Sequence, residues 1–373
     1  MKILIFIHSL GAGGAERVTA LLANYWVSRG LKVVVVTLAS AGLDRYSLDG
    51  AIERVELEQA GTSETTLAGL RANIERIRGL RRVLREQTPD VALAMMTNSN
   101  VLMALASVGL RDIRTVGAER VHPALAPLGS AWSMLRFFGY GLLDVIVAQT
   151  AITRSWLLSH TDARNVAVVP NPVVWPLERV APTVNPESIG DSGRRRLLAV
   201  GRLVHQKGFD ILIEVFAQLA TQFPDWELVI IGRGEDGAAL QSRIDSHSLA
   251  GRVFLAGDVG NMGDWYEAAD VFVLSSRFEG FPNALGEAMA YGLPVVSFDC
   301  DTGPRDLIEN EVNGLLVPDG DAAALGRALA RTMSDEGFRT RVAGRAVSVR
   351  ERYSLGTVGN TWLDLFRSLT VRR

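Results

Sequence analysis

The sequence predicts an α/β protein built from two Rossmann-like, doubly wound halves. Three observations carry this expectation. Its 373 residues exceed one ordinary domain. Short continuous apolar runs alternate with helical patterns, as strands of a parallel sheet covered on both faces require. The alternation also stops at a polar, proline-containing stretch and then restarts.

In the first half, Lys2–His8 reads as a buried strand, and Ala15–Ser28 as a helix with Val18, Leu21, Leu22 and Tyr25 at helical spacing. Lys32–Leu38 holds four consecutive valines, whose branched side chains suit a strand. Leu67–Glu86 has a long helical pattern. Val91–Met96, Arg114–Ala118 and Val145–Gln149 follow as strands, with a helix around Ser130–Leu142. Val166–Pro170 is the last strand of this half. From Asn171-Pro172 to Arg194 the chain is polar, with little periodicity and residues restricted by following prolines, which marks a linker.

The second half restarts with strand Arg196–Val200, helix Phe209–Phe223, strand Leu228–Ile231, helix Ala238–Ser246 and strand Val253–Ala256. Strands Val271–Leu274 and Val295–Phe298 flank a helix from about Asn283 to Tyr291. The chain from Ala322 onward reads as helical. The expected organisation is a first domain over 1–175, a linker over 176–194, a second domain over 195–355 and a C-terminal helix over 356–373. In such a pair of sheets the ligand is expected in a cleft facing the carboxyl ends of the strands.

Composition narrows the class. Apolar residues make up 48% and charged residues 21%, the balance of a soluble globular protein, which excludes disorder and collagen-like repeats. A formal charge of −2 carries no electrostatic footprint for nucleic acid. Residues 1–180 hold 19 Lys and Arg against 15 Asp and Glu, and the remainder 20 against 26, so the first half is the positive one. The single cysteine, Cys300, rules out an internal disulfide and suits a reducing cytoplasm. The opening Met-Lys-Ile-Leu-Ile-Phe-Ile has a short apolar core, no small-residue cleavage site and a glycine-rich turn directly after it. It reads as a first strand rather than a signal peptide. No apolar run is long enough to span a membrane.

Three segments carry chemistry. Ser9–Arg17 places Gly11, Gly13 and Gly14 between the first strand and first helix, where backbone can approach an anion at a helix N-terminus. It lacks the full dinucleotide fingerprint and the acidic ribose partner, which argues against a nicotinamide cofactor. The alternative is a turn serving only the fold. Val200–Phe209 sets Arg202 and Lys207, the only lysine of the second half, on a loop between strand and helix. Two cations so placed suit a diphosphate, unless both are merely solvated. Phe278–Glu287 puts Glu279 after a strand and Glu287 into the next helix. Pro282 favours a helix start, leaving the amides of Asn283 and Ala284 for an anion. The two carboxylates can accept hydrogen bonds from two separate polyol groups, a sugar and a ribose; spacing alone also fits a capped helix with two surface glutamates.

The Glu279–Glu287 spacing, the Gly-Arg-Leu…Lys-Gly loop and the Gly-Gly-Ala-Glu-Arg opening together resemble the family 4 glycosyltransferases of the GT-B fold. Asp301-Thr-Gly-Pro-Arg and Asn313-Gly-Leu-Leu-Val-Pro fit as well, so the likeness runs over almost the whole chain. The resemblance implies transfer of a sugar from a nucleotide-sugar donor with retention of anomeric configuration. Arg202 and Lys207 would bind the donor diphosphate, and Glu287 the ribose. Glu279, with the backbone of Gly280, Phe281, Pro282, Asn283 and Ala284, would hold the donor sugar, and the Gly13–Gly14 loop would close over it. No cofactor or metal is implied, and the sequence has no Asp-x-Asp and no histidine cluster with ligand spacing.

Family members carry a histidine after the fourth strand of the first domain. Here the segment reads Ala118-Glu-Arg-Val-His-Pro123, a form resembling bacterial transferases of lipid-linked glycans. Arg120 is expected in the histidine position, with His122 as the other candidate for a direct role, against the commoner outcome of an exposed loop histidine. The resemblance further implies a UDP-sugar as donor and a glycan or polyprenyl-diphosphate-linked acceptor. The Arg-rich helix of Leu67–Glu86 and the aromatics Trp132, Phe137, Phe138 and Tyr140 fit peripheral contact with an anionic membrane, against a packed helix with a solvated face. The alternatives are a non-catalytic sugar-nucleotide binder and another GT-B activity such as an epimerase. Tyr353…Phe366 resembles the family's last helix, which returns to the first domain.

Overall fold

The computed structural model describes residues 1–11, 13–61, 66–191 and 193–371. Ala12 of the first glycine loop and Arg372–Arg373 of the expected C-terminal segment lie outside them. The chain forms two compact units, Met1–Pro172 with Leu355–Arg373, and Val173–Ser354.

Unit 1 runs β1 (Lys2–Ile7), α1 (Gly14–Ser28), β2 (Lys32–Thr37), β3 (Glu53–Glu56), α2 (Thr66–Gln87), β4 (Val91–Met95), α3 (Thr97–Ser107), β5 (Arg114–Ala118), α4 (Ser130–Tyr140), β6 (Val145–Ala148), α5 (Ala151–His160) and β7 (Val166–Val168). Its seven strands lie in the order β3-β2-β1-β4-β5-β6-β7 and every pair is parallel. Alternation along β1 splits the core. Ile3, Ile5 and Ile7 face Val18, Leu22 and Trp26 of α1, whereas Leu4 and Phe6 face Leu80 and Leu84 of α2 with Val101 and Met103 of α3.

Unit 2 runs β8 (Arg195–Val200), α6 (Phe209–Ala220), β9 (Trp226–Ile231), α7 (Gly237–Ser246), β10 (Val253–Gly257), α8 (Met262–Glu267), β11 (Val271–Leu274), α9 (Asn283–Ala290), β12 (Val295–Asp299), α10 (Pro304–Leu307), β13 (Leu315–Pro318), α11 (Ala322–Ser334), α12 (Glu336–Ala346) and α13 (Val349–Arg352). Its parallel order is β10-β9-β8-β11-β12-β13. Leu197 and Ala199 of β8 face α6 and α11, and Leu198 between them faces the side of Leu285 and Met289 of α9. The doubly wound architecture expected from the sequence is therefore present in each unit.

The polar stretch before β8 is tied onto unit 2. The Val180 N–H donates to Gly260 O at 3.0 Å and the Val184 N–H to Asn261 Oδ1 at 2.9 Å. Buried Arg196 donates to Ile189 O at 2.7 Å and pairs with Glu227 at 2.7 Å. The final helix, α14 (Leu355–Thr370), belongs to unit 1 and packs on α1. Trp362 and Phe366 sit edge-on to Trp26 at 6.5 and 5.3 Å between ring centres, and the Trp26 indole N–H donates to Gly359 O at 3.3 Å.

Some elements leave no periodic trace. β3 is Glu-Arg-Val-Glu on a sheet edge, with a single apolar residue to signal it. α3 is buried on nearly every side, from Ser99 and Asn100 to Ala106 and Ser107, so it has no polar face to create a stripe.

Candidate active site

In unit 2 the site is built where the loops after β8 and β11 meet. These neighbouring strands are followed by connections leading away from one another in the strand order, the position at which open α/β sheets hold ligands. After β8, residues His205–Lys207 make one tight turn and Gly208 closes it at φ 62°. A Cβ on Gly208 would stand 2.1 Å from Ser275 O, so only glycine lets the loop lie against the end of β11. The Ser275 hydroxyl then donates to Lys207 O at 2.9 Å, and the Gln206 amide to Phe278 O at 2.9 Å. Arg277 fastens the same loop from the other side, donating to His205 O at 2.6 Å and forking onto Asp210 at 2.9 and 2.7 Å.

That scaffold aims Lys207 at Glu279. Its Nζ lies 2.6 Å from Glu279 Oε1, and the Ser276 hydroxyl donates to the same oxygen at 2.6 Å. The Thr302 hydroxyl donates to the Glu279 backbone carbonyl. Among the described residues, none donates a hydrogen bond to Glu279 Oε2. The carboxylate is therefore buried, fixed through one oxygen, and left with an acceptor on the other. The nearby Cys300 thiol is pushed up to about 12, by burial first and by the Glu279 charge second, and is no nucleophile.

Segment 278–282 leads into α9, whose first residue is Asn283 and whose N-cap, Pro282, offers no side-chain cap. Gly280 O and Pro282 are backed by Gly303 at φ 98°, where a Cβ would stand 2.5 Å from Pro282 Cδ. Phe281 is buried edge-on to Tyr353 at 5.6 Å and fixes the turn, and Ala284 occupies the second helical position. Glu287, one turn further, is buried and its Oε2 accepts from the Tyr266 hydroxyl at 3.0 Å. Arg202 differs from Lys207. It is exposed, and among the described residues its guanidinium hydrogen-bonds to Gln206 Oε1 alone, at 3.4 Å. Of the two cations, one is already committed to a carboxylate and one projects from the loop.

In unit 1, Gly13 is the N-cap of α1 in extended conformation and Gly14 its first residue. A Cβ on Gly13 would stand 2.1 Å from Glu16 Oε2, so the carboxylate of Glu16 folds back over the helix start. His8, at the end of β1, has its pKa lowered by burial first and then by Arg76, against a smaller opposite effect of Glu16.

The segment after β5 is buried rather than an exposed loop. Glu119 accepts from Thr97 Oγ1 at 2.9 Å and from the Tyr140 hydroxyl, and burial pushes its carboxyl up. His122 Nδ1 lies 3.1 Å from Thr153 Oγ1, with its ring edge-on to Trp156 at 6.0 Å. Arg120 points elsewhere, its Nη2 donating to Asn171 Oδ1. In unit 2, Thr302 and Tyr266 meet Glu279 and Glu287 from other segments of the chain, so spacing does not display them, whereas Ser276 lies three residues before Glu279 on the same loop. In unit 1, Asn171 meets Arg120 from beyond β7, and Gln149 meets Asn171 from the end of β6. Among the described residues no three His, Cys, Asp or Glu side chains gather as a metal site would need.

Two family models match the chain. "Glycosyltransferase Family 4" covers residues 12–174 and "Glycosyl transferases group 1" covers residues 194–335. The chain is 26% identical to the amylovoran biosynthesis glycosyltransferase AmsD of Erwinia amylovora, over 98% of this chain and 99% of that one. It is also 26% identical, over 98% of both chains, to the GalNAc-alpha-(1->4)-GalNAc-alpha-(1->3)-diNAcBac-PP-undecaprenol alpha-1,4-N-acetyl-D-galactosaminyltransferase of Campylobacter jejuni. In fold it matches Anabaena Alr3699/HepE, solved with UDP and glucose, at a TM-score of 0.80 and 20% identity over 99% of this chain and 100% of that one.

Proposed function

The chain belongs to the family 4 glycosyltransferases and has their GT-B fold, and from that premise we propose a retaining, metal-independent transferase. It moves a hexose or N-acetylhexosamine from a UDP-sugar to a glycan or polyprenyl-diphosphate-linked acceptor in bacterial glycan assembly. The observation that carries the donor assignment is the Lys207–Glu279–Ser276 arrangement, which fixes one carboxylate oxygen and leaves Oε2 to accept from a sugar hydroxyl. UDP as donor is supported by the HepE complex, and the lipid-linked acceptor by the activity printed for the Campylobacter relative.

Each residue then has a task. Arg202, free to swing from its loop, and Lys207 neutralise the leaving diphosphate. Glu287 accepts from the ribose, and the uncapped start of α9 turns its amides toward an anionic or polar group of the donor. The anomeric carbon–oxygen bond to the diphosphate breaks, and its electron pair leaves on the phosphate oxygen. The acceptor oxygen attacks the same face and passes its proton to that phosphate oxygen. Preorganised charge at the leaving group is the main contribution, on the order of 3 kcal/mol for each donor removed. In this reading Glu279, whose carboxylate holds Lys207, orients the sugar and is not a covalent nucleophile. The proton NMR coupling at the new anomeric centre tests retention: an α-linked product from an α-linked donor is expected, and a β-linked product refutes it.

Peripheral membrane contact belongs to the same reading. α4 exposes Met134, Phe137 and Phe138, the last at 62%, while α2 exposes Leu70, Ile74, Arg71, Arg78, Arg82 and Arg85. Arg76 and Arg81 are spent on backbone carbonyls, Arg76 on Gln59 and Gly61 and Arg81 on Ala106 and Val108. An apolar face beside exposed guanidinium groups suits anionic lipid. No helix among the described residues is long and apolar enough to cross a membrane. Co-flotation with phosphatidylglycerol vesicles, absent with phosphatidylcholine alone, is the expected result.

A further inference from the structure

We propose that Arg120 is a phosphate-binding residue of unit 1, its guanidinium held ready by Asn171 and Gln149 for an oxyanion of a substrate. The inference deepens the transferase reading and rests on it.

The first observation is an account that does not close within the protein. Arg120 is 6% exposed, yet among the described residues only its Nη2 has an acceptor, Asn171 Oδ1. Nε and Nη1 are buried with no partner among the described residues. Asn171 Oδ1 is shared with the Gln149 amide at 2.8 Å, and Gln149 Oε1 is itself buried and unpartnered. No carboxylate among the described residues forms an ion pair with Arg120. Its neighbour Glu119 is committed to Thr97 and Tyr140 instead. Burial lowers the Arg120 pKa to about 10, which still leaves the group charged at neutral pH. A buried cation without a counter-ion is costly, and folds retain one where a ligand completes it.

The second observation is position. Arg120 lies two residues beyond β5, Gln149 one beyond β6 and Asn171 three beyond β7, so three adjacent parallel strands deliver them to one carboxyl edge. That edge is where doubly wound sheets bind ligands. The chain from Glu119 to Gly129 has no regular strand or helix. Arginine presents planar donors suited to phosphate oxygens, and Gln149 Oε1 adds an acceptor for a hydroxyl beside them. Arg202 and Lys207 serve a diphosphate in unit 2, so the phosphate at Arg120 is either that of the donor nucleotide or the diphosphate of a prenyl-linked acceptor. Both share the same chemistry.

The test is calorimetric titration of the full chain with UDP and, separately, with farnesyl diphosphate, for the wild type, Arg120→Met and Lys207→Ala. Loss of at least tenfold in affinity for farnesyl diphosphate in Arg120→Met, with UDP unchanged and Tm level or raised, supports the acceptor as source. The same loss for UDP alone assigns the donor phosphate. Unchanged affinity for both probes overturns the proposal, as does lost binding accompanied by a lowered Tm. Hydrogen exchange on the wild type gives a reading that needs no variant: a phosphate probe should protect residues 119–129, and binding without that protection overturns the proposal. A wild type that binds neither probe overturns it too. UDP binding that survives Lys207→Ala refutes the donor-site reading instead, and leaves the farnesyl diphosphate arm intact.

Discussion

Lys207 Nζ and Glu279 Oε1 lie 2.6 Å apart, although 72 residues separate them in sequence. The pair joins the loop after β8 to the loop after β11. It makes one assembly of the two segments that would face the donor's diphosphate and its sugar.

Replacing Glu279 by Gln keeps an acceptor for Ser276 and removes the charge that holds Lys207. A fall in kcat/KM of about a hundredfold is expected, roughly 3 kcal/mol of transition-state stabilisation. UDP binding should persist, since Glu279 is assigned to the sugar. Steady-state nucleotide release together with UDP titration measures both.

Arg202→Ala and Lys207→Ala should differ, although both weaken UDP binding. Arg202 is exposed and its side chain hydrogen-bonds, among the described residues, to Gln206 alone, so its removal should leave Tm unchanged. Lys207→Ala strands a buried carboxylate and should cost about 3 kcal/mol of stability as well. Thermal melts beside UDP titrations separate the two.

Gly359→Ala should loosen α14 from α1. The added Cβ would stand 2.4 Å from the Tyr25 ring, and the Gly359 carbonyl accepts from Trp26. Overpacking at such a contact costs about 1–3 kcal/mol. A lower urea midpoint is expected, with UDP affinity unaltered because the donor loops belong to unit 2.

Acid should weaken the loop that carries Lys207. The Asp210 carboxyl is held below its usual range first by hydrogen bonds from Arg277, with burial opposing. A carboxyl depressed in the fold adds stability above its unfolded pKa, and that stability is lost as pH falls through the folded value. The pair is about a third exposed, so solvent screening limits its worth to about 1 kcal/mol. Asp210→Asn should therefore lower Tm at pH 7, and the gap from wild type should close as pH falls below the ordinary aspartate range.

Particular residues show what the sequence displays and what it conceals. Apart from β3 and β13, the strands of both sheets are legible because β-branched and apolar runs mark buried parallel strands, as in Val33–Val36. The Glu279–Glu287 and Arg202–Lys207 spacings are legible because each lies within one loop or turn. Thr302 and Tyr266 are not, since the contact between Glu279 and Thr302 depends on β11 and β12 being neighbours, and Tyr266 of α8 meets Glu287 of α9 only in the fold; Ser276, three residues before Glu279 on one loop, lies within reach of spacing. Charge is equally opaque: six arginines on α2 look alike in sequence, yet Arg76 and Arg81 are consumed by carbonyls while Arg71 and Arg85 stay exposed. Nothing in the spacing of Glu119-Arg-Val-His122 tells that all but Val121 are buried.

Nucleotide release from UDP-, GDP- and ADP-sugars, with EDTA present and with or without bacterial polyprenyl-diphosphate glycans, tests the central claim most directly. Release of UDP alone, undiminished by EDTA, increased by the lipid and reduced about a hundredfold in Glu279→Gln, is the result this account predicts. Release that needs a divalent metal, comes from another nucleotide, or continues unchanged in Glu279→Gln would contradict it.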